Sequence, residues 1–339
     1  MRIAVVGLGA MGGLIAAKLI QANHEVCALA RGETLAAVSR RGLVVEQDQA
    51  KNTYAIRASD QPEILGSQDL VIVSVKAPAL PGLAASIARL RGQSGMVLTA
   101  MNGVPWWFFH GFGGPCGDLR LTSIDPHAAL DTEIPRSANL GAVLHMSAST
   151  PEPAHVLHAN GNRIILGEPG GGQSERLEHV CKMLNDAGFV AESSQRIQDD
   201  IWYKLWGNMT MNPVSAITGA TIDKILDDPE VSRFCVSVME EAKQLGERFG
   251  CHIEQSAQAR NLLTRQLGAF KTSMLQDVEA LRPVELDALL SVAQEIGRHL
   301  AFETPWINAL LGLCRLRMQG LGLYPPMAGI GDQASKLKS

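Results

Sequence analysis

A short apolar run that ends in a glycine-rich turn constrains the fold of this chain more than any other feature. The run Ile3–Val6 ends in glycines, and a helical pattern of apolar residues follows from Met11 to Leu19. This order of strand, tight turn and helix predicts a βαβ unit that binds a dinucleotide. The turn itself reads Gly7-Leu8-Gly9-Ala10-Met11-Gly12, which is the Gly-x-Gly-x-x-Gly pattern.

The three glycines of this turn serve different purposes. Gly7 permits the tight turn, Gly9 lets the backbone approach a pyrophosphate, and Gly12 lets the helix pack close to the strand. The helix N-terminus then offers N–H groups and a positive dipole end to the phosphates. The position of the motif between a strand and a helix favours a cofactor site over an incidental glycine-rich turn.

Strands and helices continue to alternate up to about residue 105. Such alternation predicts a parallel, doubly wound sheet, the architecture of an α/β Rossmann-type domain. The predicted strands are Glu25–Ala30, Leu43–Glu46, Leu70–Val75 and Met96–Ala100, with helices near 34–41 and 78–90 and further strands at 140–147, 162–167 and Phe189–Glu192.

The pattern changes near residue 196, where long helical patterns replace the strands. We therefore predict an N-terminal Rossmann-type domain over 1–193, an all-α C-terminal domain over 194–332 and a frayed tail over 333–339. The helical patterns lie at 197–211, 229–250, 255–269, 285–301 and 305–319.

Composition excludes several classes of protein. The formal net charge is −4 over 339 residues, so a nucleic-acid partner is not expected. No apolar run reaches the ~18 residues of a membrane helix, and no Cys/His group has zinc spacing. Because the chain is large and shows no secretory leader, its six cysteines are expected to be reduced thiols rather than a disulfide set. We expect a soluble, cytoplasmic protein with no metal.

The end of the second predicted strand bears on the choice of nicotinamide cofactor. NAD enzymes commonly carry an acid there, which binds the ribose 2′-hydroxyl. Here the strand runs into Arg31, whose guanidinium suits a 2′-phosphate, and Lys76 follows the strand Leu70–Val75 as a second candidate cation. We predict NADP(H), although Glu33 leaves the use of NAD open and both cations are also typical of solvated strand ends.

Lys204, Asn208 and Asn212 form a second constellation. Their spacing of i, i+4 and i+8 drifts by only ~40° per step, so a helix places all three on one face. The surrounding helix is strongly apolar, and its polar side chains need partners such as a substrate carboxylate, hydroxyl or carbonyl. The alternative is that Lys204 pairs with Asp200 at the surface while the asparagines end the helix.

A lysine in such a position suits the reduction of a ketone. The carbonyl oxygen needs a proton as hydride arrives at the carbon, and burial lowers the pKa of a lysine toward the working pH. The cation also polarises the carbonyl before the transfer.

The chain resembles the ketopantoate reductase family over nearly its whole length. The resemblance rests on the glycine turn with Arg31-Gly32, on Asn102-Gly103, on the segment 200–212, and on Ser273–Asp277 followed by Glu285-Leu286-Asp287. The family implies a Rossmann domain joined to a helical domain like that of 6-phosphogluconate dehydrogenase, with the active site in the cleft between them. It also implies NADPH-dependent reduction of ketopantoate to pantoate, in the route to pantothenate and coenzyme A.

The same resemblance implies roles for single residues. Taken from the residues alone, Ser273 could instead cap a helix, and Glu285 could be a first-turn acid of a helix that begins after Pro283. In the family interpretation Lys204 is the catalytic proton donor, Glu285 reaches the bound ligands, Asn208, Asn212 and Ser273 bind substrate, Asn102 touches nicotinamide ribose and substrate, and Ala148 lines the cofactor site.

Two departures from the family pattern leave the substrate open. Leu290-Ser291 stands where many relatives carry Asn-Gly, and the aromatic run Val104–Phe109 follows Asn102-Gly103. The run predicts core packing, a homodimer patch or an altered wall of the substrate pocket. A relative that acts on a different, bulkier 2-oxo acid or 2-hydroxy acid is therefore a competing hypothesis. A third hypothesis, a non-catalytic dinucleotide-sensing protein, is disfavoured by the presence of both Lys204 and Glu285.

Overall fold

The computed structural model describes residues 1–326, which form two compact units. The first unit contains Met1–Leu205 and Gly246–His252, and the second contains Trp206–Leu245 and the residues from Ile253 onward. The predicted tail 333–339, and the part of the predicted helical domain beyond residue 326, lie outside the described residues. The predicted boundary at 193/194 remains a prediction.

All ten strands of the described chain belong to one sheet in the first unit. Its strand order is β4-β3-β9-β8-β7-β6-β1-β2-β5, with β10 paired to β9. Most pairs are parallel, and the antiparallel pairs are β3 with β4 and β8 with β9. The strands are β1 Arg2–Val6, β2 Glu25–Leu29, β3 Leu43–Gln47, β4 Ala50–Tyr54, β5 Arg57–Ser59, β6 Leu70–Val73, β7 Met96–Thr99, β8 Asn139–Glu152, β9 His155–Gly167 and β10 Val190–Ser193.

The register of the parallel strands aligns their carboxyl ends. Val6 at the end of β1 lies beside Leu29 of β2 and Val73 of β6, and Val73 lies beside Thr99 of β7. Because parallel strands present their carboxyl ends at one edge of a sheet, the segments that follow these four strands share that edge.

Helices cover the sheet in the first unit and dominate the second, as the sequence predicts. Helices α7 and α9 contribute residues to both units. The helices are α1 Ala10–Gln21, α2 Gly32–Arg41, α3 Pro62–Leu65, α4 Ala84–Arg91, α5 Ala129–Glu133, α6 Glu175–Asp186, α7 Ile197–Thr218, α8 Ile222–Asp227, α9 Pro229–Phe249, α10 Ala257–Arg265, α11 Ser273–Glu279, α12 Val292–His299 and α13 Pro305–Gly320.

The structure differs from the predicted elements in two ways: two helices begin differently, and some elements were not predicted or are longer than predicted. The helix predicted over 78–90 begins only at Ala84, because Pro78 and Pro81 sit in two short 3₁₀ turns. The helix predicted over 285–301 begins with a π-helical turn at Asp287–Ser291. Strands β4 and β5 and helix α6 were not predicted, and β8 and β9 form a long hairpin that extends well beyond the predicted strands.

Apolar side chains of the sheet and of α1 form the core of the first unit. Ile3, Val5, Leu14, Leu19 and Ile72 are among its fully buried members. Each such side chain contributes roughly 1.5–3 kcal/mol on burial, so strand β1 and helix α1 are held firmly on either side of the glycine turn. Among residues 1–326, no helix combines the length and apolar composition needed to cross a bilayer.

Candidate active site

The glycine turn connects β1 to α1 with little space to spare. Gly7 has a φ of +93°, a conformation that favours glycine, and a Cβ on Gly12 would collide with the carbonyl oxygen of Gly7. At Gly9, by contrast, a Cβ would have no heavy atom within 4 Å. The turn is therefore closely packed on its inner side and open at Gly9, where the motif requires a pyrophosphate to approach.

The first turn of α1 suits an anionic ligand. Gly9 is the N-cap residue, no side chain caps the helix, and no acidic residue lies in the first turn. The first N–H groups of a helix have no partners within the helix, so those of α1 are available to an anion near Gly9. These observations fit a dinucleotide pyrophosphate.

Three further predicted residues follow strands at the same edge of the sheet. Arg31 comes two residues after β2 and is exposed, Lys76 comes three residues after β6, and Asn102 comes three residues after β7. Arg31 is also the N-cap residue of α2. The structure thus brings the phosphate turn, both candidate cations and Asn102 to one edge.

Lys204 is half-buried in α7, and its ammonium is held by the sheet. Nζ donates to Oδ1 of Asn102 at 2.8 Å and to the backbone oxygen of Leu144 in β8 at 2.7 Å. Hydrogen bonds from a charged donor are about twice as strong as neutral ones. The interpretation of Lys204 as an ordinary surface lysine is therefore wrong, because its ammonium is anchored to two positions far away in sequence.

Lys204 also lines a small pocket of about 10 Å³ within the first unit, roughly the room for one water molecule. The pocket lies between the end of β7, the start of β8 and the first turns of α7. Its lining residues are Thr99, Met101, Gly103, Pro105, Ala142, Val143, Ile201, Lys204 and Leu205.

Asp200, one turn before Lys204, makes a part-buried hydrogen bond with Ser194. Burial raises the pKa of its carboxyl group above the ordinary value, although the Ser194 hydroxyl donates to Oδ2 at 2.5 Å and acts in the opposite direction. Asp200 therefore ties the start of α7 to the segment that follows β10.

The other predicted substrate residues belong to the second unit. Asn208 and Asn212 lie in α7, where Asn212 is buried, and Glu285 is half-buried just before the π-helical turn. Ser273 is exposed and is the first residue of α11. The capping interpretation of Ser273 is wrong, because Thr272 is the N-cap and its hydroxyl accepts from the Leu275 N–H.

A relay of hydroxyl groups connects two of these segments. The Ser215 hydroxyl donates to the Asn212 backbone oxygen at 2.9 Å and lies 2.5 Å from the Thr272 hydroxyl. Because Thr272 already accepts from the Leu275 N–H, its own proton can point to Ser215. The relay therefore joins α7 at Asn212 to the start of α11 beside Ser273.

The aromatic run forms part of the core of the first unit. Trp106 is 2% exposed, Trp107, Phe108 and Phe109 are fully buried, and Phe108 and Phe109 each pack edge-to-face on Phe249. Core packing is thus the correct interpretation of these four aromatic side chains, and they do not form a surface patch. Trp107 also makes a hydrogen bond that the sequence did not predict: its Nε1 donates to the Thr99 hydroxyl at 3.1 Å.

The remaining predicted positions have structural surroundings of their own. Ala148 lies in the outer part of the β8–β9 hairpin, opposite His158, and packs against the core of the first unit. Leu290 is fully buried, and the Ser291 hydroxyl donates to Asp287 at 2.8 Å within the π-helical turn. Leu290 and Ser291 are not among the residues that line the pocket beside Lys204, whereas Pro105 of the run Val104–Phe109 is.

Comparison with known proteins gives these features a context. The family model described as ketopantoate reductase PanE/ApbA matches residues 3–171, and its C-terminal counterpart matches residues 196–318. The 2-dehydropantoate 2-reductase of Mesorhizobium japonicum is 38% identical over 325 residues, which are 96% of this chain and 100% of that protein.

Solved structures agree with the sequence comparison. A crystal structure of a candidate ketopantoate reductase from Ralstonia solanacearum is 53% identical, with a TM-score of 0.92 over 95% of this chain and 99% of that one. D-mandelate dehydrogenase, solved with NADH and anilino(oxo)acetate, is 19% identical with a TM-score of 0.83 over 95% and 100% of the two chains. At that identity the second similarity concerns the fold alone.

Proposed function

Because the chain belongs to the ketopantoate reductase family, we propose that it reduces ketopantoate (2-dehydropantoate) to pantoate with NADPH. The family comprises dinucleotide-dependent oxidoreductases, and the chain is an enzyme of this class. The observation that carries the proposal is the ammonium of Lys204, held by Asn102 and Leu144 at the sheet edge that also carries the glycine turn. The reaction would serve pantothenate and coenzyme A biosynthesis.

The proposed cofactor is NADPH rather than NADH. The open space at Gly9 and the uncapped start of α1 fit the pyrophosphate. Arg31 follows β2, where a ribose 2′-substituent is recognised in this fold, and its exposed guanidinium can bind a 2′-phosphate with two parallel hydrogen bonds. Lys76 is a second cation at the same edge, and Ala148 remains a proposed cofactor-lining position.

When bound, NADPH supplies the hydride that adds to C2 of the 2-oxo acid. The oxygen then needs a proton, and we assign its donation to Lys204. The ammonium carries three protons, and the amine left after transfer carries two. Asn102 and the Leu144 oxygen accept two hydrogen bonds from Nζ, and these bonds would hold the lysine in place during the transfer. Before the transfer, the positive charge of Lys204 stabilises the charge that develops on the oxygen.

The residues of the second unit are proposed to recognise the substrate. Asn208, Asn212 and Ser273 offer amide and hydroxyl groups for a carboxylate and hydroxyls, and Glu285 is assigned to the bound ligands. Asn102 would act twice, as a partner of Lys204 and as a contact to nicotinamide ribose and substrate. These roles rest on the family motifs that the residues match.

Steady-state kinetics with a panel of 2-oxo acids test the substrate. Ketopantoate is expected to give the highest kcat/KM, because the chain belongs to the ketopantoate reductase family and the four aromatic side chains of the run are buried in the core. A bulkier 2-oxo acid that is reduced much faster would overturn the assignment of ketopantoate.

The variant Arg31→Ala tests the cofactor. Loss of a charge-assisted contact to the 2′-phosphate costs roughly 1.5–3 kcal/mol, so KM for NADPH should rise about 10- to 100-fold while KM for NADH stays unchanged. Arg40→Ala is the matched control, because Arg40 is also an exposed arginine and lies near the other end of α2. An equal effect of Arg31→Ala on both cofactors would contradict the assignment of NADPH.

We also propose that two copies of the chain associate through α13. This helix buries Ile307, Leu310 and Met318, yet a second stripe leaves Trp306 47%, Leu313 61% and Leu316 71% exposed. A helix that is apolar on two faces is normally covered on both. A second copy is the expected partner because the start of the stripe is acidic and its end is basic.

The charges favour an antiparallel pair. Glu303 lies just before α13 and Arg317 lies in its last turn, and both side chains are exposed. Two antiparallel copies would therefore place opposite charges together at both ends of the contact. Light scattering should show a dimer that Leu316→Glu converts to a monomer, while Leu262→Glu on α10, where the leucine is equally exposed, leaves the dimer intact. A monomeric wild type at all concentrations would contradict this proposal.

A reducing, cytoplasmic location is proposed on the state of the thiols. All six cysteines lie in the described residues, none forms a disulfide, and five are buried. Burial raises the pKa of Cys116 to about 11 and that of Cys235 to about 12, so these thiols are unreactive at neutral pH.

A further inference from the structure

The buried indole of Trp107 is a feature that core packing does not fully explain. Its Nε1 donates to the Thr99 hydroxyl at 3.1 Å, and that hydroxyl donates to the Leu140 backbone oxygen at 3.1 Å. All three residues are at most 2% exposed. An indole N–H can only donate, so the Thr99 oxygen must accept from it and the Thr99 proton is directed to Leu140.

This relay joins β7 and β8, the two strands that lead to the oxygen atoms accepting from Lys204. Thr99 is the last residue of β7, three residues before Asn102, and Leu140 lies in β8, four residues before Leu144. The regular pairing of β7 with β8 ends at Thr99 and Gly141. The relay therefore lies where the pairing of β7 with β8 ends, just before the segments that lead to Asn102 and Leu144.

The indole ring also supports β8 directly. A Cβ on Gly141 would come within 2.6 Å of the Trp107 ring, so the ring lies against the bare backbone of β8 next to Leu140. Trp107 thus contacts β8 through its ring and β7 through its nitrogen. Both contacts act on the short segments that set the separation of Asn102 Oδ1 from the Leu144 oxygen.

We propose that Trp107, acting through Thr99, is a positioning residue for the Lys204 ammonium. The relay fixes the two oxygens that hold Nζ, and so fixes the point from which the proton is delivered. Trp107 touches neither substrate nor cofactor in this scheme. The inference rests on the proposed role of Lys204 as proton donor.

Trp106 provides an unusually close control. It is also a buried tryptophan, one residue earlier, but its Nε1 has no hydrogen-bond partner within the described part of the chain. Trp106→Phe and Trp107→Phe therefore remove the same group from the same core, and only the second breaks the relay. The free energy of one neutral hydrogen bond corresponds to a change of about 3- to 10-fold in a rate constant. Misplacement of a reacting group can lower kcat further.

The expected result is a kcat about 10-fold lower for Trp107→Phe, with KM for NADPH within twofold of wild type. The limb of the pH–rate profile that reports the lysine should shift in this variant. Trp106→Phe should keep kcat and the pH profile even if its melting temperature falls. Thr99→Val should match Trp107→Phe, and Thr99→Ser, which keeps the hydroxyl, should restore most of the rate.

Kinetics of Lys204→Ala, alone and combined with Trp107→Phe, separate this inference from the proposed function. If Lys204→Ala leaves turnover unchanged, the proton-donor assignment itself fails. If Lys204→Ala abolishes turnover but Trp107→Phe and Trp106→Phe lower kcat equally, only the positioning role fails. In the Lys204→Ala background, Trp107→Phe should cause no further loss in the residual rate, and an undiminished 10-fold loss there would also overturn the relay.

Discussion

The glycine turn and the lysine site lie at the same edge of one sheet but are assembled in different ways. In the turn, the residues that matter lie between Gly7 and Gly12, and its backbone hydrogen bond from Gly13 to the Gly9 oxygen spans four residues. In the lysine site, Nζ of Lys204 is bound 102 residues away at Asn102 and 60 residues away at Leu144. The proposed pyrophosphate site is specified by a local motif, whereas the proposed proton donor is positioned only when the strands of the sheet have formed.

The largest expected effect comes from removing the lysine. Lys204→Ala should lower kcat by about 10²- to 10⁴-fold, the range for loss of a positioned general acid. NADPH binding should be nearly unchanged, because the glycine turn does not depend on the lysine. Single-turnover kinetics and fluorescence titration with NADPH would measure the two quantities separately.

Lys182→Ala is the matched control for this variant. Lys182 is exposed on α6 and pairs only locally, with Asp186 at 2.7 Å. Its replacement should leave both kcat and NADPH binding at wild-type values. An active Lys204→Ala enzyme, or one that has lost NADPH binding to the same extent as turnover, would remove the distinction between the two regions.

Smaller effects are expected from substitutions in the glycine turn, and the kind of effect should depend on which glycine is replaced. Gly9→Ala should fold normally, because its φ of −75° suits alanine and the added Cβ meets no atom within 4 Å. The same Cβ would occupy the approach of the pyrophosphate, so the Kd for NADPH should rise about 10- to 100-fold, or roughly 1.4–2.7 kcal/mol. Isothermal titration calorimetry would measure this change.

Gly12→Ala should instead fail in folding, since its Cβ collides with the Gly7 backbone. A fall in melting temperature without cofactor is the expected sign. Gly82→Ala, in a 3₁₀ turn with open space around it, is the control for both variants. If Gly9→Ala and Gly12→Ala lower thermal stability equally, the turn is not open at Gly9.

The fold could be predicted from sequence wherever its signals are local. The alternation of apolar strands and helices gave the Rossmann-type sheet, and helical periodicity gave the all-α second part. The 3₁₀ turns at Pro78 and Pro81, the π-helical turn and the unpredicted strand β4 depend on neighbours in space. Strand β4 is exposed along most of its length and has no apolar alternation that would indicate it.

The site could be predicted only as a set of residues. Lys204 and Asn102 were both identified, but their hydrogen bond was not, because no spacing rule relates residues 102 positions apart. Leu144 gave no signal at all, since it contributes a backbone oxygen. The role of Trp107 was hidden for a similar reason: an aromatic run predicts burial, while the direction of one indole N–H depends on which hydroxyl lies opposite.

The smallest expected effect tests whether the second unit uses a relay of the same kind. Ser215→Ala would break the chain from Leu275 through Thr272 to the Asn212 oxygen and leave a buried hydroxyl unsatisfied, at a cost of about 1–3 kcal/mol of stability. KM for the 2-oxo acid should rise a few-fold with kcat little changed, because Asn212 and Ser273 are assigned to binding rather than to proton transfer. Thr210→Val is the control, since the buried Thr210 hydroxyl donates only to Gly207 of its own helix. A fall in kcat as large as that of Trp107→Phe would mean that the second unit also positions the reacting groups, and the contrast between the two relays would then be lost.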